Sequence, residues 1–144
     1  MKTILLIHGA NLNILGKRDA KQYGHLTLKE LEKQVAALAK KHGLKVKVFQ
    51  SNYEGGIIDF LQKNAPKAAG ILINPGAYTH YSYAIHDALL DTKLPAIEVH
   101  LSKVTEREDW RAKSVTAPAC VAMFAGQKVE SYKLAVEKLA EILK

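Results

Sequence analysis

Short apolar runs with no wet position are what most constrain this chain. Ile4-Leu-Leu-Ile7 and Gly70-Ile-Leu-Ile-Asn74 are too short for helices and apolar without interruption, the pattern of strands covered on both faces. Pro95–His100 and Ala119–Phe124 read the same way. Lys45-Val-Lys-Val48 alternates instead, as a strand with one wet face near a sheet edge does. Amphipathic stretches lie between these runs. Thr27-Leu-Lys-Glu30 is a capping box, opening a helix whose apolar face carries Leu28, Leu31, Val35 and Leu38 and which Gly43 ends. Ile57, Ile58 and Leu61 suit a short helix stopped before Pro66. Ser82–Leu90 suits a helix with Ile85, Ala88 and Leu89 inward, and Val129–Leu143 a closing helix. Five strands alternating with helices imply an α/β fold with a parallel sheet covered on both faces. Right-handed crossovers make a flavodoxin-like, doubly wound order the expected topology. The chain has 144 residues and shows no linker, repeat or low-complexity tract, so one domain over residues 1–144 is expected.

Several chemistries are excluded or weakly supported. A single cysteine, Cys120, rules out a disulfide framework and multi-thiolate metal or iron–sulfur sites, and its apolar surroundings read as a packed, inert thiol. No apolar run approaches the ~20 residues of a membrane span, and the N-terminal stretch is too short for a signal peptide. A cytoplasmic chain without a membrane partner is expected. Twenty-one basic residues against 14 acidic ones leave a net charge of +7. Eighteen of the 21 are lysines scattered along the chain, with no basic run interleaved with aromatics, so no nucleic-acid partner is expected either. The three arginines, Arg18, Arg107 and Arg111, all fall in irregular segments, where a planar fork of donors suits an anion or hydroxyls. Gly9–Lys17 has the wrong spacing for a phosphate loop, and no dinucleotide fingerprint follows any strand. The six histidines lack metal-binding spacing, and no buried run carries a lysine for imine chemistry.

What remains is acid–base chemistry on one rim. Ligands on open α/β sheets bind beyond the carboxyl ends of the strands. Those ends read His8-Gly-Ala-Asn11, Gln50-Ser-Asn52, Asn74-Pro-Gly76 and His100-Leu-Ser102. Leu15–Gly24 is a polar, glycine-bounded stretch long enough to cover the rim, and it puts Arg18 five residues from Tyr23. A phenol is a poor base unless a nearby cation favours the phenolate, which Arg18 could do; an ordinary loop anchor is the plainer reading of Tyr23. Glu98 lies two residues before His100, on the same sheet face, and can fix the imidazole tautomer. A glutamate in an apolar strand needs such a partner. His80 and Asp87, seven residues apart, complete the candidates. A non-catalytic binder of a small polyhydroxylated acid would use much of the same rim.

The segments HGANLNILGKRDAKQYG (8–24), QSNYEG (50–55), INPGAYTH (73–80) and EVHLS (98–102), followed by Arg111, together resemble the type II 3-dehydroquinases nearly end to end. The resemblance implies dehydration of 3-dehydroquinate to 3-dehydroshikimate in the shikimate pathway of aromatic amino acid biosynthesis, with no metal and no organic cofactor. It implies a homo-oligomer, a dodecamer built as a tetramer of trimers. Carried over by position, Tyr23 is similar to the family's base, and Arg18 to the cation that keeps its phenolate available. Asn11, with the backbone of Pro75–Ala77, would hold a water against the enolate. His100 resembles the acid, oriented by Glu98. Asn74, His80, Asp87 and Arg111 resemble the substrate-hydroxyl contacts, Asp87 across a subunit boundary, and Leu101 and Ser102 the carboxylate contacts. The chain departs from the family where His8 and Ala10 replace the usual Asn and Pro, where Lys103 replaces Asn, and at Ala112-Lys113. These departures imply a less rigid first loop and altered affinity, with activity retained. His8, read as near the rim, would also contribute to the pH profile.

Overall fold

A computed structural model describes residues 1–144. Five strands, β1 (Lys2–His8), β2 (Leu44–Gln50), β3 (Gly70–Asn74), β4 (Ala96–His100) and β5 (Ala122–Ala125), form one sheet in the order β2-β1-β3-β4-β5. Every pairing is parallel. The helices are α1 (Ala20–Tyr23), α2 (Leu28–Lys41), α3 (Glu54–Asn64), α4 (Tyr83–Thr92) and α5 (Val129–Ile142). This is the doubly wound, flavodoxin-like arrangement expected from the alternation of runs.

The period of two along each strand divides the core into two layers. Ile4, Leu6, Leu72, Ile97 and Val99 face α2 and α5, against Leu31, Val35, Tyr132, Val136 and Leu139. Leu5, Ile7, Ile71, Ile73 and Ala96 face α3 and α4, against Ile57, Leu61, Ile85 and Leu89. Apolar side chains are needed on both faces, which is why the runs in β1 and β3 are uninterrupted. The capping box forms as read: Thr27 Oγ1 accepts from the Glu30 N–H, and Glu30 accepts from the Thr27 N–H. β2 is an edge strand with Lys45 and Lys47 exposed; Val48 is also exposed, while the next residue, Phe49, stacks on Phe60 at 4.3 Å.

One strand starts later than the sequence suggests. Ala119 belongs to a 3₁₀ turn (Ala117–Ala119) seeded by Pro118, whose fixed φ and missing N–H suit a turn better than a ladder. β5 therefore begins at Ala122 rather than Ala119. Cys120 lies just outside the strand, half-buried, and burial with a smaller contribution from the Glu98 charge pushes its thiol up to about 12.

The switch in strand order falls between β1 and β3, where the chain leaves the two strands in opposite directions. The loops that follow are in backbone contact. A Cβ on Gly9 would run into the Pro75 carbonyl, and Gly76 has a φ of 65° with its own Cβ position 2.7 Å from the Ala10 oxygen. Because backbone rather than a flexible side chain would have to move, Gly9→Ala is expected to destabilise the protein by about 3 kcal/mol, read from the urea midpoint.

Candidate active site

A hollow with about 510 Å³ of open space sits over the carboxyl ends of β1, β3 and β4. It is lined by Asn11, Arg18, Tyr23, Asn74, His80, His100, Leu101, Ser102, Arg107 and Arg111, with Leu12, Gly76, Ala77 and Val104. Of the eleven residues expected from the sequence as catalytic or substrate contacts, eight are polar members of this wall and Glu98 stands behind it; Leu101 adds apolar surface and backbone.

Glu98 is wholly buried, and its carboxylate organises the floor. Oε2 accepts from His100 Nε2 at 2.7 Å, Thr79 Oγ1 at 2.7 Å and Ser114 Oγ at 2.8 Å, while Oε1 accepts from Thr116 Oγ1. Burial on its own would raise this carboxyl, but the hydrogen bonds and charge of His100, with Thr116 and Thr79, outweigh it and hold the group below its ordinary value. A carboxylate can only accept, so the His100 proton sits on Nε2 and Nδ1 is left for the pocket. The same reasoning assigns His80. Its Nδ1 lies 2.9 Å from the Lys113 carbonyl, so Nδ1 carries the hydrogen and Nε2 is an acceptor. Burial lowers the His80 imidazole, opposed by that carbonyl and assisted by Arg111, and the neutral acceptor form is favoured. Trp110 packs edge-on against the ring at 5.4 Å.

The three arginines converge here. The Arg18 guanidinium lies over the Tyr23 ring, 3.7 Å from its centroid, and Arg107 Nη1 donates to Tyr23 Oη at 2.8 Å. Arg18, expected as the cation that keeps the phenolate available, lies over the ring, and Arg107, absent from the sequence-derived set, adds the hydrogen bond to the oxygen. Only its place in an irregular segment hinted at it. Arg111 stacks on Trp110 at 4.0 Å, with Glu108 Oε2 2.7 Å from its Nε.

Three other positions, His8, Gln50 and Asn52, differ from expectation. His8 is not on the rim: its side chain turns away from the pocket, wholly buried, with Nε2 3.2 Å from Glu32 Oε2 on α2. As β1 ends, alternation sends His8 to the α2 layer. Gln50 and Asn52 do not line the hollow but brace the first loop. Asn52 Oδ1 accepts from the Asn11 N–H at 2.9 Å and from Gln50 Nε2 at 3.1 Å, and Gln50 Nε2 also reaches the Gly9 carbonyl. That loop is thus tied down although Ala10 stands where a proline is usual. Asp87 is exposed on α4 and does not reach this chain's own hollow. No group of three or more His, Cys, Asp or Glu side chains is placed to hold a metal ion, and no helix is long and apolar enough to cross a membrane.

The family model described as dehydroquinase class II matches residues 2–140. A 3-dehydroquinate dehydratase of Caldicellulosiruptor bescii is 47% identical over 144 residues, covering 99% of this chain and 99% of its own. A catabolic 3-dehydroquinase of Penicillium rubens is 48% identical over 136 residues, covering 94% of this chain and 88% of its own. In structure, a type II dehydroquinase from Butyrivibrio crossotus superposes with a TM-score of 0.92 at 44% identity, over 96% of this chain and 97% of that one.

The Glu98 carboxyl titrates below its unfolded value, so on acidification the unfolded chain takes up the proton first and stability falls with pH. The stabilisation is complete above the ordinary value of 4.5 and is lost as pH drops through the lower folded value. Glu98→Gln is therefore expected to be less stable than wild type at pH 7, with the gap between their urea midpoints narrowing below pH 4.5.

Proposed function

The chain belongs to the class II dehydroquinase family and is a hydro-lyase, a 3-dehydroquinate dehydratase, and from that premise we propose how its residues divide the reaction. Tyr23, as phenolate, takes a proton from the carbon beside the ketone. Arg107, hydrogen-bonded to its oxygen, and Arg18, over its ring, stabilise the negative charge there. The electron pair moves into the ketone to give an enolate. A water held by Asn11 and the backbone about Pro75–Ala77 donates to the enolate oxygen. His100 acts as the imidazolium that the Glu98 carboxylate stabilises. It delivers its Nδ1 proton to the tertiary hydroxyl as the C–O bond breaks and water leaves, and it is left neutral with its remaining proton on Nε2, held by Glu98. Base and acid come from different walls of the hollow, which suits an anti elimination. His80 Nε2 accepts from a substrate hydroxyl, and Asn74 and Arg111 hold others. The Leu101 and Ser102 N–H groups, with the Ser102 hydroxyl, take the carboxylate.

The observation that carries this reading is the Tyr23 oxygen in the donor field of Arg107, a purpose that a mere binder of polyhydroxylated acids would not need. No step uses a metal or organic cofactor. The chain acts as one catalytic domain in the cytoplasm, with no nucleic-acid or membrane partner, in the biosynthetic direction of the shikimate pathway. Complementation of a strain lacking that dehydratase tests the last point; failure with active protein would favour a catabolic role. A homo-oligomer, a dodecamer arranged as a tetramer of trimers, would explain why Asp87 is exposed here: it would complete a neighbour's site. Light scattering should give the mass of twelve chains, and a monomer with full activity would remove Asp87 from the site.

The enone of the product absorbs in the ultraviolet, so turnover is read directly. Tyr23→Phe should keep the fold and substrate binding and lose at least about 10³-fold in kcat. A Tyr23→Phe variant near wild-type rate would exclude the phenol as the base.

A further inference from the structure

Tyr132 is the largest wholly buried side chain, in the first turn of α5 and packed in the α2–α5 layer of the core. A phenylalanine would fill the same volume without burying a hydroxyl, which is costly to leave without a partner. The hydroxyl has one hydrogen-bond partner, and it is in the active site: Asn74 Nδ2 donates to Tyr132 Oη at 3.2 Å. The direction of that bond is forced from the other end. Asn74 Oδ1 accepts from the Gly76 N–H at 3.0 Å, and an N–H cannot accept, so the amide nitrogen must face Tyr132. The amide is thereby held at both ends, with its oxygen on the loop that forms the pocket wall and its nitrogen on α5. One of the two Nδ2 hydrogens is used and the other is free for the pocket, which Asn74 lines while itself almost wholly buried.

We propose that Tyr132 is a positioning residue for the dehydratase: its buried hydroxyl fixes the Asn74 side-chain amide so that the second Nδ2 hydrogen is presented to a substrate hydroxyl. The proposal rests on the reading of Asn74 as a substrate contact. Burial, reinforced by the Glu32 charge and opposed by the Asn74 bond, raises the phenol above its ordinary value, so the hydroxyl stays neutral and keeps its lone pairs for the amide across the working pH range. Without it, Asn74 retains only the Gly76 bond and is free to turn about its last torsion.

Tyr132→Phe, Asn74→Ala and the double variant test this, with thermal midpoint measured beside kinetics. Tyr132→Phe should raise KM about fivefold with kcat within about twofold of wild type, because the lost contact holds ground and transition states alike. In the Asn74→Ala background the same change should leave KM unmoved. In a ¹⁵N–¹H spectrum, the Asn74 side-chain amide pair, identified by its loss in Asn74→Ala, should shift and exchange faster in Tyr132→Phe. An unchanged KM and amide signal in Tyr132→Phe would overturn the proposal. So would an equal KM effect in both backgrounds, or a loss of kcat that tracks a lowered midpoint, since either marks a general packing role. Absence of turnover by folded wild type would instead overturn the functional reading, and the amide signal would still report on the Asn74–Tyr132 contact alone.

Discussion

A carboxylate buried at the heart of a parallel sheet sets the terms for everything around it. Glu98 stands in a strand whose neighbours are apolar, and an unpaired charge there would be prohibitive. It is paid for by donors from three separate stretches: Thr79 after β3, His100 at the end of β4, and Ser114 and Thr116 in the loop before β5. Satisfying one charge thus draws the irregular parts of the chain onto one spot. The Val115 N–H to Thr79 carbonyl bond, at 2.7 Å, and the Lys113 carbonyl on His80 follow from the same convergence. The site's precision is a by-product of keeping a charge in the core.

Backbone contact does the corresponding work on the other side of the hollow. Gly9 and Gly76 let the loops after β1 and β3 pass without side chains between them, Gln50 and Asn52 tie the first of these loops to the one after β2, and Asn74 braces its own loop through the Gly76 N–H. The asparagines that crowd the strand ends are therefore of two kinds. Asn11 and Asn74 face the hollow, whereas Asn52 holds the loop from behind. Their shared residue type conceals different tasks.

That distinction marks how far the sequence could be read. Strands covered on both faces have to be apolar at every position, so β1 and β3 were legible almost to the residue, and the local chemistry of Thr27 and Glu30 announced α2. Glu98 and His100 were legible as a pair because two residues in a strand share a face. Contacts between distant segments were not. Arg107 reaches Tyr23 across 84 positions, and no local pattern separates it from a solvated arginine. His8 looked like a rim residue until the alternation at the end of β1 turned it toward Glu32. Tyr132 carries the heptad-like spacing of an ordinary core residue, and its hydroxyl gains meaning only once Asn74 lies against it. The run Ala-Cys-Val-Ala has the composition of a strand, but Pro118 just before it holds the chain in a turn, so β5 starts only at Ala122.

The environment of Tyr23 has a consequence for how such a site can be regulated or broken. One of its two cations, Arg18, belongs to the same stretch between β1 and α2, while the other, Arg107, is supplied by the irregular segment between β4 and β5. The phenol oxygen is therefore a two-key lock. Its charge has full support only when two segments far apart in the chain are seated against each other. Damage to either segment disarms the base without touching the residue that bears it, and a survey of inactive variants that looked only at Tyr23 would miss half the mechanism.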